Sequence, residues 1–173
     1  MKRRIFILAL FLTLFNIFGQ QLNFYNNPYV TCDNKIYQSG WSSNNWTEAP
    51  FSPATGNFTS LDFYNNPYVA IGDKIYQSGW SSNNWTEARF SPAPGNITSL
   101  SFYNNPYVVI GDKIYQSGWS SNNWTEARFS PAPGNITSLS FYNNPYVVVG
   151  DKIYQSGWSS NNWTEAPFSP VLN

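Results

Sequence analysis

The side chains that could do chemistry recur at fixed spacing through the chain. The segment IYQSGWSSNNWTEA occurs four times without change, beginning at Ile36, Ile75, Ile114 and Ile153, and its copies contain all eight tryptophans. Each copy combines two indole rings with hydroxyl, amide and carboxylate groups. Aromatic rings pack against the CH faces of sugars, and the polar groups bond sugar hydroxyls, so this set favours carbohydrate binding.

Catalysis is a weaker interpretation of the same residues. A glycoside hydrolase needs two carboxylates about 5–9.5 Å apart around one cleft, whereas Asp73 and Glu87 have equivalents along the chain, so that no single acid/base pair stands out. The chain has no histidine, the commonest general base and transition-metal ligand. A repeated binding site, in contrast, strengthens binding to a multivalent ligand through avidity. We therefore expect no enzymatic activity, no cofactor and no metal site, with a glycan-active hydrolase as the least favoured alternative.

Composition restricts the partners. Aromatic residues make up 19% of the chain and charged residues 10%, with nine Lys and Arg against nine Asp and Glu. Lys2, Arg3 and Arg4 belong to an N-terminal segment that we expect to be removed, which leaves six basic residues against nine acidic ones. A slightly acidic chain without a basic stripe cannot neutralise phosphates, so we expect no nucleic-acid partner.

Residues 1–19 have the pattern of a secretory signal peptide. Three basic residues precede an apolar run from Ile5 to Phe18, and the small residue Gly19 follows it. Fourteen residues at helical rise cover about 21 Å, short of the roughly 30 Å hydrocarbon core, so a spanning helix is the weaker alternative. We expect a mature chain beginning near Gln20, secreted to the extracellular space or periplasm, without stable membrane insertion.

From Leu22 the chain repeats every 39 residues, which divides the predicted domain 20–173 into units 22–60, 61–99, 100–138 and 139–173. The third unit and the three residues before it predict strands at 97–103, 107–110 and 113–119 and a looser strand at 124–129. Asn104-Asn105-Pro106 is expected to break the first strand, and Gly111-Asp112 is a two-residue hairpin signal. Four short antiparallel strands in about 40 residues, with no helical pattern, are typical of one β-propeller blade.

The sequence therefore predicts an all-β, four-bladed β-propeller. A β-solenoid and a part of a larger oligomeric propeller remain alternatives, because no strand is exchanged between the termini to lock a ring. Self-association into a homo-oligomer is left open on the same ground.

The blade pattern ITSLSFYNNPYVVIGDKIYQSGWSSNNWTEA resembles the propeller lectins, most closely the tachylectin type and more loosely the fucose-binding fungal and bacterial propellers. The resemblance covers Leu22 to Phe168 and implies a secreted multivalent lectin. The fungal-type sites combine an arginine, a glutamate and an aromatic residue. Every copy has the glutamate, but the arginine is present only twice. This resemblance implies an alternative site at Arg89 with Glu87 and at Arg128 with Glu126.

Strand direction predicts which face binds. With four antiparallel strands, the first turn and the third turn emerge on one face, which collects amides and hydroxyls beside aromatic rings. The predicted ligand-binding residues are Trp46, Trp85, Trp124, Trp163, Tyr29, Tyr68, Tyr107, Tyr146, Asn44, Asn83, Asn122, Asn161, Asn27, Asn66, Asn105 and Asn144. For Trp41 and its equivalents we favour packing inside a strand. The glycans or glycoconjugates that such a face would bind make the protein lectin-like, and a structural or adhesive repeat protein of the cell surface is the alternative.

Overall fold

The structure is a computed structural model that describes residues 21–169 except Asp33, Pro53 and Thr55. The predicted signal peptide lies outside the described residues. Among the residues that are described, no helix is long and apolar enough to cross a membrane.

Each repeat folds into one four-stranded antiparallel sheet, which we call a blade, with its strands in chain order. Blade 1 contains β1 (Leu22–Phe24), β2 (Pro28–Cys32), β3 (Lys35–Gln38) and β4 (Thr47–Glu48). Blade 2 contains β5 (Ser60–Tyr64), β6 (Asn66–Ile71), β7 (Lys74–Gln77) and β8 (Thr86–Glu87). Blade 3 contains β9 (Ser99–Tyr103), β10 (Asn105–Ile110), β11 (Lys113–Gln116) and β12 (Thr125–Glu126). Blade 4 contains β13 (Ile136–Tyr142), β14 (Asn144–Val149), β15 (Lys152–Gln155) and β16 (Thr164–Glu165).

The predicted hairpin turn is confirmed, whereas the first turn is tighter than expected. Ile110 pairs with Lys113 across Gly111-Asp112, and Gly111 has the positive φ that glycine adopts without strain. In the first turn a single residue, Asn104, has a φ of 58° between the strands. Pro106 does not break the sheet as expected. It lies in β10 opposite Phe102, near the strand start, where a residue without an N–H is tolerated.

The third strand ends earlier than predicted, and this moves a tryptophan. β11 stops at Gln116, so Trp119 lies in the following turn and not in a strand. The Ser117 hydroxyl donates to the carbonyl oxygen of Ser121 at 2.7 Å and holds that turn. The fourth strand is likewise shorter than expected, at Thr125–Glu126.

Successive blades pack face to face through three hydrophobic clusters, one at each blade junction. The first strands of neighbouring blades also bond: the Leu100 N–H donates to the Ser60 hydroxyl at 2.9 Å, and the Leu139 N–H donates to the Ser99 hydroxyl at 3.1 Å. Apolar residues on both faces of β6 and β10 fit this arrangement, because each inner blade is covered on both sides. The architecture is the predicted four-bladed β-propeller.

The first and last blades keep exposed apolar faces. Within residues 21–169 as described, none of the three hydrophobic clusters joins blade 4 to blade 1. Phe168 of blade 4 is 63% exposed, whereas its equivalents Phe51, Phe90 and Phe129 are at most 2% exposed. The outer face of blade 4 therefore lacks the neighbour that every inner face has.

Candidate functional site

The first and third turns of each blade share one face, which we call the turn face. The indole Nε1 of Trp80, in the third turn of blade 2, donates to the carbonyl oxygen of Asn65 in the first turn at 2.7 Å. The same bond recurs in the other blades, from Trp41 to Asn26, Trp119 to Asn104 and Trp158 to Asn143. The expected placement of both turns on one face is confirmed.

The opposite face, which we call the link face, collects the second turn and the connection between blades. The Ala93 N–H donates to the Asp73 carbonyl oxygen at 2.8 Å, and the Ile97 N–H donates to the Gly72 carbonyl oxygen at 2.8 Å. Arg89 is exposed in this connection. Its arrangement recurs one blade later, where Arg128 is exposed.

The carboxylate of the alternative site is already engaged on the link face. Glu87 accepts a hydrogen bond from the Ser91 hydroxyl at 2.8 Å and pairs with the Lys74 ammonium at 3.3 Å. The bond from Ser91 lowers the pKa of Glu87, and Lys74 adds to the effect. Glu126 has the corresponding partners Ser130 and Lys113. Both carboxylates are therefore already paired on the blade edge.

Three of the four tyrosines predicted to bind ligand are buried in the core. Tyr29, Tyr68 and Tyr107 are buried, and Tyr68 packs on Phe102 of the next blade with ring centroids 4.7 Å apart. Burial raises the pKa of the Tyr68 hydroxyl, which bonds the side chain of Asn66. Tyr146, in the last blade, is half-buried. In the first three blades each predicted tyrosine bonds the predicted asparagine of its own first turn: Tyr29 with Asn27, Tyr68 with Asn66, and Tyr107 with Asn105. Asn144 in the last blade is half-buried, like Tyr146.

The predicted tryptophans at the fourth strand lie between blades. The Trp124 indole donates to the carbonyl oxygens of Phe90 and Pro92 in the preceding blade, at 2.9 and 3.0 Å. Trp85 and Trp163 make the same bond to Phe51 and Phe129, and Trp46 is also half-buried. These indoles join one blade to the connection before it. Trp124 and the buried Tyr68 pack in the same cluster, where both contact Phe90. The ligand role of the four tryptophans stays a prediction.

The asparagines predicted in the third turn are exposed on the turn face. Asn44, Asn83, Asn122 and Asn161 all have accessible side chains. The Asn122 carbonyl oxygen accepts from the Trp124 N–H at 3.0 Å, which fixes the end of the turn and leaves the amide outside.

The aromatic surface of the turn face is formed by a pair of residues that the sequence did not single out as ligand-binding. Tyr64 of blade 2 stacks on Trp119 of blade 3, with ring centroids 4.4 Å apart and planes 26° apart. Tyr25 and Trp80 stack at 5.4 Å, and Tyr103 and Trp158 stack at 4.8 Å. We call each of these a junction pair. The three tyrosines are 37–39% exposed and the three tryptophans half-buried, so each pair presents ring surface to solvent.

A signal for the junction pairs was present in the sequence but could not be interpreted without the fold. The tyrosine follows the phenylalanine of FYNNPYV, and the tryptophan follows the glycine of QSGW. The two rings of a pair are in different repeats, so spacing within one repeat does not bring them together.

One carboxylate lies between blades and departs from the repeat. Asp62 on β5 stands where the other blades have Asn23, Ser101 and Ser140. It accepts hydrogen bonds from the Phe63 N–H at 2.8 Å and from the Phe102 N–H of the next blade at 3.1 Å. Burial raises the pKa of Asp62 from 3.8 to about 6, although those bonds favour the ionised form.

This pKa predicts that stability falls as pH rises from about 4 to above 6. The folded state binds the Asp62 proton more tightly than the unfolded state does, so the stability gained at low pH is lost as the pH passes the folded pKa of about 6. The loss from this group is at most about 3 kcal/mol, at 1.36 kcal/mol per pKa unit. Urea unfolding of the wild type and of Asp62→Asn at pH 4 and pH 8 measures it.

The asparagine variant is a fair control because Asn23 occupies the same position in blade 1, where its amide donates to the Leu61 carbonyl oxygen at 2.9 Å. Glu48, Glu87 and Glu165 have lowered pKa values, and their contribution is lost as the pH falls, but they are common to both proteins. The difference in unfolding free energy between the wild type and Asp62→Asn therefore isolates the contribution of Asp62. Parallel pH profiles for the two proteins would contradict this prediction.

Comparison with known proteins gives the fold. The Neurospora crassa Pan2 WD40 domain matches with a TM-score of 0.51 and 10% identity, over 87% of this chain and 52% of that chain, so this chain spans about half its length. WD40 repeats are propeller blades. The chain has a β-propeller fold. A protein described as "the de novo evolutionary emergence of a symmetrical protein" matches this propeller with a TM-score of 0.55 and 18% identity, over 79% of this chain and 71% of that chain.

A Cicer arietinum lectin described as having two metal binding sites is also similar to this propeller, with a TM-score of 0.45, 10% identity and 88% of each chain covered. A TM-score of 0.45 is too low for any inference about this chain from that lectin. No family model and no curated protein matches the chain. In the part of the chain that the structure describes, no group of three or more acidic, cysteine or histidine residues could hold a metal ion.

Proposed function

We propose that the chain is a secreted, multivalent, carbohydrate-binding protein without catalytic activity, a lectin of the kind that the tachylectin-type sequence resemblance implies. The observation that carries the proposal is the junction pair, an exposed stack of tyrosine on tryptophan that recurs at each of the three blade junctions. Export rests on the sequence of residues 1–19, and the mass of the secreted product, beginning near Gln20, tests it.

The surroundings of the junction pairs suit a neutral sugar. Neither the first turn, Tyr-Asn-Asn-Pro, nor the third turn, Gly-Trp-Ser-Ser-Asn-Asn, contains a charged residue. Exposed amides such as that of Asn83 lie in the turn that carries Trp80 of the pair. Ring faces contact sugar CH groups, and amides supply both a donor and an acceptor for hydroxyls.

Repetition compensates for shallow sites. A stack open to solvent buries little of a sugar, so we expect weak binding at each junction pair. Three like sites on one rigid face raise the apparent affinity for a multivalent surface by a factor of about 10² to 10⁴. Glycoconjugates and glycan-coated surfaces are therefore favoured over free monosaccharides as partners.

Two other functions have less support. A hydrolase would need a carboxylate pair in one cleft, whereas Glu87 is paired with Lys74 on the blade edge. A structural or adhesive role is favoured by the exposed faces of the first and last blades, which suit assembly. Agglutination of glycan-bearing particles separates the two, because a free sugar inhibits it for a lectin and not for a purely adhesive protein.

A variant that removes the exposed rings tests the proposal. Replacing Tyr25, Tyr64 and Tyr103 by alanine is expected to abolish binding to a glycan array, because each change removes the exposed ring of one junction pair and the losses at the three sites multiply in a multivalent contact. The matched control replaces Arg89 and Arg128 by alanine. They are exposed on the link face, and binding should remain.

Circular dichroism and urea unfolding establish that both proteins are folded before binding is compared. Loss of binding in the arginine variant with retention in the tyrosine variant would place the site on the link face and contradict the proposal. Replacing Trp85, Trp124 and Trp163 is a poorer test, since their indoles hold blades together and binding could fail with the fold.

A further inference from the structure

Every inner junction is built from two faces of constant composition. The preceding blade contributes what we call its trailing face, which in blade 2 contains Tyr68, Ile75 and Phe90. The following blade contributes its leading face, which in blade 3 contains Leu100, Phe102 and Trp119. Because the repeats are nearly identical, any trailing face offers the shape and chemistry that any leading face fits.

The trailing face of blade 4 is uncovered. Its residues Tyr146, Ile153 and Phe168 are the equivalents of Tyr68, Ile75 and Phe90. They line an open groove of about 410 Å³, whose other walls include Ser138 and Tyr142. In the inner junctions the equivalent space is filled by a leucine, a phenylalanine and a tryptophan of the next blade.

The leading face of blade 1 is uncovered as well, and it carries those three residue types. Leu22, Phe24 and Trp41 are 39%, 57% and 62% exposed. Their equivalents in blade 2, Leu61 and Phe63, are at most 6% exposed, and Trp80 is half-buried. Exposed apolar patches of this kind are typical of interaction sites.

Polar and stacking partners also match across these two faces. Ser138 is the equivalent of Ser60 and Ser99, whose hydroxyls accept from the first-strand leucine of the next blade, and it is exposed. Tyr142 is 77% exposed, about twice the value of the tyrosines that stack in junction pairs. A leading face placed on blade 4 would supply both a leucine N–H and a tryptophan ring.

We propose that the occupant is a second copy of this chain, and that two copies associate head to tail, with blade 4 of each against blade 1 of the other. The interface between the copies would have the same residue types at the same positions as the inner junctions within one chain. An arrangement that joins two unlike faces either closes into a ring or grows without limit. One copy has four blades and leaves the faces at both ends exposed. Two copies give eight blades, at the upper end of the range of about four to eight in which propellers close, whereas three copies would exceed it.

The dimer forms two further junction pairs, with Tyr142 of one copy on Trp41 of the other. The association itself does not depend on carbohydrate binding. Its test contains no glycan, so its failure leaves the lectin proposal untouched.

Light scattering coupled to size-exclusion chromatography of the purified chain tests the proposal over a wide concentration range. We expect twice the mass of one chain, with no larger species. Phe24→Arg and Phe168→Arg each place a charge in one of the two faces, and each is expected to raise the dissociation constant at least about 30-fold, as for a buried interface residue. Urea unfolding confirms that the monomeric variants remain folded. Phe24 and Phe168 are exposed within one chain, so neither change disturbs an inner junction.

Mixing the two variants distinguishes this geometry from a symmetric contact. The Phe168→Arg chain keeps an intact leading face and the Phe24→Arg chain keeps an intact trailing face, so a one-to-one mixture restores one junction and should recover the dimer in part. In a contact between two blade 1 faces, mixing restores nothing, and that result overturns the proposal. A monomer at every concentration also overturns it and points to residues 1–20 or another protein as the occupant, and a ladder of growing polymers overturns the closed dimer.

Discussion

Replacing Phe90 by alanine is expected to lower the free energy of unfolding by about 3–5 kcal/mol, the range for removing a buried aromatic side chain. Phe90 is 2% exposed and contacts Tyr68, Phe102, Trp119 and Trp124, with ring centroids 5.6–6.3 Å away. It is the ring at which both blades of this junction meet, so the cavity would lie at the centre of the interface. Urea unfolding followed by tryptophan fluorescence measures the loss.

Phe168→Ala supplies a control that few proteins offer. The residue has the same type and the same place in its repeat, but it lacks a following blade and is 63% exposed. At concentrations where the chain is a single copy, this variant is expected to lose less than about 0.5 kcal/mol, the usual range for surface changes. Equal losses at the two positions would show that the last blade is covered in solution.

Deleting residues 100–138 is expected to remove more than a third of the free energy of unfolding. The deletion joins Ser99 to Leu139 and keeps the repeat register, but it reduces three junctions to two. In a repeat array, stability is the sum of intrinsic blade terms and junction terms, and a single blade cannot bury its apolar faces alone. When the blade term is unfavourable and the junctions carry the stability, one lost junction in three costs more than a third.

If the blades do not stabilise one another, the expected loss of unfolding free energy has a different and definite size. Blades that fold independently would lose one quarter, in proportion to the residues removed. Denaturant unfolding of the four-blade and three-blade chains, with circular dichroism to show that both remain all-β, distinguishes the two cases. A loss of one quarter would contradict the view that junctions stabilise this chain.

The strand order could be predicted from the sequence because the residue types in the turns show where one strand ends and the next begins. Gly111-Asp112 requires a tight hairpin, and the absence of any helical period leaves a sheet as the alternative. The limits of the strands were less predictable. Pro106 was expected to end a strand and instead lies within β10, and Trp119 was assigned to a strand that stops at Gln116. Both positions depend on contacts made after the strands pair.

The binding surface was less predictable than the fold, for a physical reason. Tyr68 and Tyr64 are both tyrosines next to the Asn-Asn-Pro segment, and composition does not tell which is covered. Burial of Tyr68 is caused by Phe102, 34 residues later in the next blade, and exposure of Tyr64 follows from its place at the rim. A single repeat does not contain that information. Whether either ring binds a sugar stays a prediction.

The leading and trailing faces of the blades are nearly identical from repeat to repeat, so a folding chain can pair a blade with the wrong neighbour. Hydrogen bonds between neighbouring blades join residues 32–40 positions apart. Contact between blade 1 and blade 3 would close a loop twice as long, and doubling a loop costs only about 0.6 kcal/mol. A chain diluted from denaturant therefore chooses among nearly equivalent wrong partners. A chain emerging from the ribosome meets no such choice, because blade 2 is complete before blade 3 exists, so the order of synthesis selects the correct neighbour.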